Sequence, residues 1–114
     1  MDKLTTYQQL IKRLLGEIAD LVNRQAKSSD EEMVCVFDDE RGHYMLITAG
    51  WTKKERLRYT TLYVRLRNGK IWIEEDWTEE GIATDLVRAG VPKEDIVLGF
   101  QPPEMRPYTE FAVA

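Results

Sequence analysis

The densest cluster of groups that could do chemistry is EEDWTEEG, residues 74 to 81, with five carboxylates in eight positions. Oxygen ligands of this kind suit a hard divalent cation such as magnesium. Glu74, Asp76 and Glu79 form the natural trio if their oxygens converge on one point. A structural reading competes with it. A β-rich run, KIWIE, ends here, and Ile82, Ala83, Leu86, Val87 and Ala89 follow at helical spacing. Asp76 or Thr78 can cap that helix, and Glu79 and Glu80 then lie in its first turn. The helix dipole favours negative charge there by about 0.3–1 kcal/mol each.

The remaining chemistry-bearing residues are sparse. His43 is the only histidine and Cys35 the only cysteine. A cysteine zinc cage, a disulfide within the chain and a multi-histidine metal site are thereby excluded. Cys35 lies in the apolar run MVCVF with no histidine near it in sequence, which reads as a buried thiol rather than a nucleophile. No GxGxxG, GxxxxGK[ST] or GxSxG motif occurs. No catalytic residue, cofactor or resident metal is therefore assigned.

Charge points toward macromolecular contact. The net charge is −4, against a strong autonomous DNA binder, yet the charges are segregated. Residues 53 to 70 hold Lys53, Lys54, Arg56, Arg58, Arg65, Arg67 and Lys70 against Glu55 alone, while residues 30 to 40 hold Asp30, Glu31, Glu32, Asp38, Asp39 and Glu40 and no basic residue. Such asymmetry suits a protein partner or self-association.

The elements that must position these residues read as one α+β domain over 1–114, a length able to bury a single core. The spacing of Leu4, Tyr7, Ile11, Leu14, Ile18 and Leu21 predicts a helix over 4–22, and Gly16 inside it marks an expected close contact. AKSSDEE reads as a linker. MVCVF, HYMLITAGW, RLRYTTLYVRLR and KIWIE predict antiparallel strands, with IVLGF a short buried fifth, giving a sheet of four or five strands. Both parities of the early strands are apolar, so the second sheet face is covered either within the monomer or by another subunit. Asn68-Gly69 predicts a two-residue type I′ turn. Its register places Arg65 opposite Trp72, as a cation–π pair, and Tyr63 opposite Glu74. A helix is predicted at about 79–89, stopped by Gly90, and Pro92 can open a short helical turn through Lys93, Glu94 and Asp95. All four prolines fall in the last 23 residues, and the terminal FAVA is expected to dock as an edge strand or against a neighbour. With no signal-like run and no apolar stretch long enough to span a membrane, a cytoplasmic protein is expected.

The run NGKIWIEEDWTEEGIATDLVRAGVPKEDIVLGFQPPEMRPYTEFAVA, residues 68 to 114, resembles the signature of the XisI-like family. MDKLTTYQQLI and FDDERGHYMLITAGW are similar to that family too, so the likeness covers essentially the whole chain. Asn68 stands where aspartate is usual, and Trp77 where a smaller residue is often found. The resemblance implies a cyanobacterial excision-controlling factor. Such a factor acts beside a XisH-like, nuclease-fold partner in removing a DNA element during heterocyst differentiation. The strand chemistry belongs to a separate recombinase, and the family supplies no catalytic residue to carry over.

The leading expectation is thus a non-enzymatic accessory factor that binds a XisH-like partner and itself. Tyr63, Arg65, Trp72, Trp77, Pro102, Pro103, Arg106, Tyr108 and Phe111 are the candidate contacts, because aromatic and arginine side chains anchor interfaces. One alternative is a DNA-binding directionality factor using Lys53, Lys54, Arg56, Arg58, Arg65 and Arg67. On simple alternation Arg56 and Arg58 fall on the opposite face from Arg65 and Arg67 unless a bulge intervenes. Another is an antitoxin-like inhibitor whose acidic stretches imitate nucleic acid.

Overall fold

A computed structural model describes residues 2–25 and 30–114. It contains α1 (Lys3–Gln25), β1 (Glu32–Asp38), β2 (His43–Trp51), β3 (Arg56–Arg67), β4 (Lys70–Asp76), α2 (Ile82–Arg88) and β5 (Ile96–Leu98). Short 3₁₀ turns at Lys93–Asp95 and Pro103–Tyr108 flank β5. The greater part of the expected AKSSDEE linker, residues 26–29, lies outside the described residues. No described helix is long and apolar enough to cross a membrane.

The five strands lie in sequence order as one sheet. The first four pair antiparallel, while β5 returns parallel to β4 through α2, so the sheet is mixed. Asn68 and Gly69 both take positive φ, as the I′ turn requires, and the register follows: Arg67 opposite Lys70, Leu66 opposite Ile71, Arg65 opposite Trp72.

Two irregularities break the simple alternation. Between β2 and β3 the pairing passes from Ile47 opposite Thr60 to Leu46 opposite Leu62, leaving Thr61 extra. Thr61 turns to the core side and its hydroxyl meets that of Thr48 at 2.6 Å. Between β3 and β4, Val64 opposes Ile73 but Tyr63 opposes Glu75, so Glu74 is extra and the predicted Tyr63–Glu74 pairing is corrected by one residue. Each bulge reverses the facing of everything beyond it.

Helix α1 covers one sheet face. Tyr7, Ile11, Leu15 and Ala19 are its buried seam, at strict four-residue spacing, with Leu10, Leu14 and Ile18 packed alongside. Leu4 and Leu21, read as part of that stripe, are instead half exposed. The seam packs on Met33, Tyr44, Leu46, Leu62, Val64, Ile71 and Ile73, and Ile82 and Leu86 of α2 join the same core. Gly16 meets nothing within 4 Å of a built side chain, so the expected close contact does not form. The close approach lies instead at Gly50, where an added Cβ would come within 2.5 Å of the Asp30 carbonyl and the Glu31 backbone.

Three polar ties fix α1. Tyr7 donates its hydroxyl to Asp95 at 2.5 Å, and Lys3 pairs with the same carboxylate at 2.9 Å. Burial opposes charge on Asp95, but the Tyr7 hydrogen bond and the Lys3 ammonium together hold its carboxyl below the usual value. Lys12 and Tyr44 both donate to Asp39, in that order the causes of its lowered carboxyl pKa. At the far end the Asn23 amide accepts from Met33 N–H and donates to Met33 C=O, which pairs both backbone groups of one residue on the exposed β1 edge.

Helix α2 begins at Ile82, three residues later than the spacing predicts, because Gly81 has φ +87° and cannot sit in a right-handed turn. It ends as expected. Gly90 N–H bonds to Val87 and Val91 N–H to Leu86, the double closure of a glycine-terminated helix.

Candidate functional site: an aromatic–acidic groove and a basic sheet face

The acidic stretch is taken up by the fold. Asp76 Oδ1 accepts the backbone N–H and hydroxyl of Thr78, and Oδ2 accepts Ile82 N–H at 2.7 Å. It thus secures the start of α2 across the Gly81 turn. Glu74 pairs with Arg65 at 3.4 Å, and Glu75 accepts the Trp77 indole N–H at 2.8 Å. Glu79 and Glu80 are exposed ahead of the helix rather than in its first turn. Among the described residues no three His, Cys, Asp or Glu side chains converge as a metal-holding group. Cys35 sits against the Leu15 carbonyl, and burial first, then Asp20, pushes its thiol pKa up, away from nucleophilic behaviour.

The sequence-predicted contact residues divide into two sets. The first holds the C-terminal segment on the sheet. Trp72 is 7% exposed and lies between two guanidinium groups, Arg67 at 5.0 Å and Arg106 at 5.3 Å from its ring centre. The anticipated Arg65–Trp72 stack is therefore replaced, because Arg65 turns to Glu74. Arg106 also donates to the carbonyls of Gly99, Gln101 and Val113, so one side chain gathers the tail over Trp72. Pro102 and Pro103 start the 3₁₀ turn that carries Arg106. Phe111 packs against the core, and Ala112 bridges to Val97 in parallel, the edge docking expected of FAVA. Buried Trp72 Nε1 and Arg65 Nε have no hydrogen-bond partner among the described residues.

The second set is open. Trp77 is 72% exposed and Tyr108 83%. Trp77 stands between two shallow cavities, one of 660 Å³ with Tyr59, Thr60 and Glu75, the other of 330 Å³ with Glu74, Glu75, Asp76 and Phe100. Tyr59 and Phe100 escaped the sequence reading. The sequence pattern places Phe100 in the buried IVLGF run, yet β5 ends at Leu98, and the neighbouring Gly99 and QPP mark where the chain leaves the sheet. Gly99 passes so close to β4 that a Cβ would strike the Glu74 carboxylate and the Ile73 carbonyl.

The basic residues are also relocated. Because of the Thr61 bulge, Arg56 and Arg58 share the outer sheet face with Arg65 and Arg67, opposite Trp51, Ala49, Trp72 and Lys70 respectively. Arg56 stacks on Trp51 at 5.6 Å, Arg67 on Trp72, and Arg65 pairs with Glu74. Lys53 and Lys54 lie exposed in the β2–β3 turn, and Arg58 is exposed on the strand. Tyr63, half buried, shares a 2.7 Å hydrogen bond with His43 Nδ1, which uses the lone histidine as a cross-strand support.

The chain is similar to a XisI-like protein from Anabaena variabilis ATCC 29413. Identity is 38% over 97% of this chain and 99% of that one, with a TM-score of 0.88. It is also similar to the fdxN element excision controlling factor XisI from the same organism. There identity is 39% over 99% of this chain and 100% of that one, with a TM-score of 0.83. Among curated proteins none matches significantly. The model of the XisI protein family matches residues 1–113. The chain belongs to the XisI family.

Proposed function

We propose that this protein is a non-enzymatic accessory factor in programmed DNA-element excision. It acts by docking a XisH-like partner on the groove around Trp77. The observation that carries the reading is Trp77 itself. It is a large indole left 72% exposed between two cavities, flanked by Tyr59 and Phe100, each half exposed. Exposed tryptophan costs solvation free energy and recurs as an interface anchor when a partner fills the surrounding pocket. Glu74, Glu75 and Asp76 line the same groove, which favours a partner segment carrying arginine or lysine beside an apolar residue. The similarity to a protein described as an excision controlling factor supplies the process. Glu74, Glu75 and Asp76 already hold an arginine, an indole and a helix start, and Glu79 does not converge with them on a metal-holding group among the described residues, which supports a binding role over catalysis.

Co-expression with the XisH-like protein of the same organism, followed by size-exclusion chromatography, tests the reading. Co-elution is expected. Separate elution at micromolar concentration refutes it.

A second reading, DNA contact through the outer sheet face, gains from the bulge that aligns the four arginines. Three of the four are engaged within the chain, and the net charge is −4, so salt-sensitive binding of DNA by the isolated protein is expected to be weak. The antitoxin-like reading shares the Trp77 groove and differs only in outcome, a fall in the partner's nuclease activity on binding.

A further inference from the structure

The outer face of the first three strands is apolar and open. Val34 is 40% exposed and Val36 43%, while Met45, Ile47 and Ala49 beside them are only half covered. The C-terminal segment covers the β4–β5 side of this face through Arg106 and leaves the β1–β3 side bare.

Register resolves that bare area into rows that run across the strands. Two inner rows are apolar or weakly polar, Val34–Ile47–Thr60 and Val36–Met45–Tyr63. The row beyond them reads Glu32–Ala49–Arg58, with an acid on β1 and a base on β3 at the same height. Neither Glu32 nor Arg58 makes an ion pair with another described residue.

We propose that this face is a self-complementary interface for a second copy of the chain, with a two-fold axis between the sheets and parallel to β2. Such an axis keeps height along the strands and exchanges β1 with β3. Glu32 of each copy then faces Arg58 of the other, twice per dimer, while Ile47 and Met45 meet their own equivalents near the axis. An isologous contact demands this kind of self-matching, and the row supplies it with opposite charges placed symmetrically about an apolar centre. Sheets packed face to face lie about 10 Å apart and within about 30° of alignment, a gap that glutamate and arginine side chains reaching toward each other can span. The Asp38–His43–Arg65 row at the other end has the same polarity. There Asp38 is already held by Arg41 and Arg65 by Glu74, so the Glu32–Arg58 row decides the matching.

The footprint is modest. Three strands at about 4.8 Å spacing, each about seven residues long at ~3.3 Å per residue, cover roughly 15 by 23 Å before Trp51 extends one end. That is roughly 350 Å² of sheet face per copy, about 700 Å² in total and below the usual range of stable specific interfaces, so a weak, reversible, concentration-dependent dimer is expected rather than an obligate one.

Sedimentation velocity of the full chain, from micromolar to sub-millimolar concentration, is the test. Wild type is expected to shift from monomer to dimer across that range. Glu32→Arg and Arg58→Glu each place two like-charged pairs across the interface, and each should weaken the dimer by about tenfold or more. The double variant restores opposite charges and should return to within about threefold of wild type. Both side chains are exposed, so circular dichroism and Tm should not change. Should a reversal aggregate, Glu32→Gln and Arg58→Gln keep the test readable, with about two- to fivefold weakening. A wild type that stays monomeric throughout, a dimer indifferent to the reversals, or two reversals whose defects simply add in the double variant each overturn the proposal.

Discussion

Replacing Tyr7 by phenylalanine tests how α1 is locked to the far side of the sheet. Tyr7 hydroxyl donates to the Asp95 carboxylate across 88 residues of sequence, and Asp95 is only 8% exposed. A hydrogen bond to a charged acceptor contributes about 1.5–3 kcal/mol. Lys3 remains on the same oxygen but is itself half exposed, so it compensates only in part. At pH 7 the loss should be about 1.5–2 kcal/mol, read as a lower urea midpoint with unchanged m-value. The pH dependence carries the sharper test. Asp95 has a lowered carboxyl pKa when folded, so its stabilising contribution is present above the ordinary aspartate value of 3.8 and disappears as pH falls through the folded value. Removing the Tyr7 donor lets that folded value rise under the burial that opposes charge. The variant should therefore lose stability at higher pH than wild type. The gap between them should then narrow below about pH 4, where a protonated Asp95 accepts only a neutral hydrogen bond worth about 0.5–1.5 kcal/mol. A stability difference that stays constant from pH 7 to pH 3 would refute the assignment of charge to this contact.

Gly16→Ala should stabilise by about 0.5–1 kcal/mol, because the site is open and the helix gains propensity, whereas Gly50→Ala should destabilise by several-fold more through collision with the Asp30–Glu31 backbone; thermal melts of the two distinguish them. Arg106→Ala should cost about 1–2 kcal/mol and accelerate hydrogen exchange at Ala112 N–H, which bonds to Ile96, while Arg106→Lys should not restore protection because it cannot reach three carbonyls from one planar group. Trp77→Ala should leave the unfolding free energy within about 0.5 kcal/mol of wild type, read from urea melts, as befits a surface residue outside the core.

Much of the scaffold was legible because single residues dictate it. Asn68-Gly69 admits the positive φ of a tight turn, Gly90 ends α2, and Pro92 opens a 3₁₀ turn, so the element order and the hairpin register from Arg67–Lys70 to Val64–Ile73 follow directly. The bulges were not legible. Neither Thr61 nor Glu74 is a glycine or proline; Thr61 sits in a run of good strand formers and Glu74 directly follows one, so nothing local marks an extra residue. The consequence is large, because parity decides facing: one residue moved Arg56 and Arg58 onto the same face as Arg65 and Arg67. The late start of α2 was hidden for a related reason. Glu79 and Glu80 are adequate helix formers, and only the backbone at Gly81, with Asp76 reaching six residues ahead, excludes them. Trp72 and Trp77 look equivalent in sequence, five residues apart, yet a distant arginine at 106 helps bury one while the other stays 72% exposed. That partition depends on a contact between β4 and the tail, which no local pattern encodes.

The central claim is that this protein works by presenting the Trp77 groove to another protein. Isothermal titration of a purified XisH-like protein into wild type and into Trp77→Ala tests it most directly. The account predicts binding to wild type and at least about a thirtyfold weaker association for the variant, the loss of a single anchor costing ~2 kcal/mol or more. Equal affinity for the two, with both proteins folded, would contradict it.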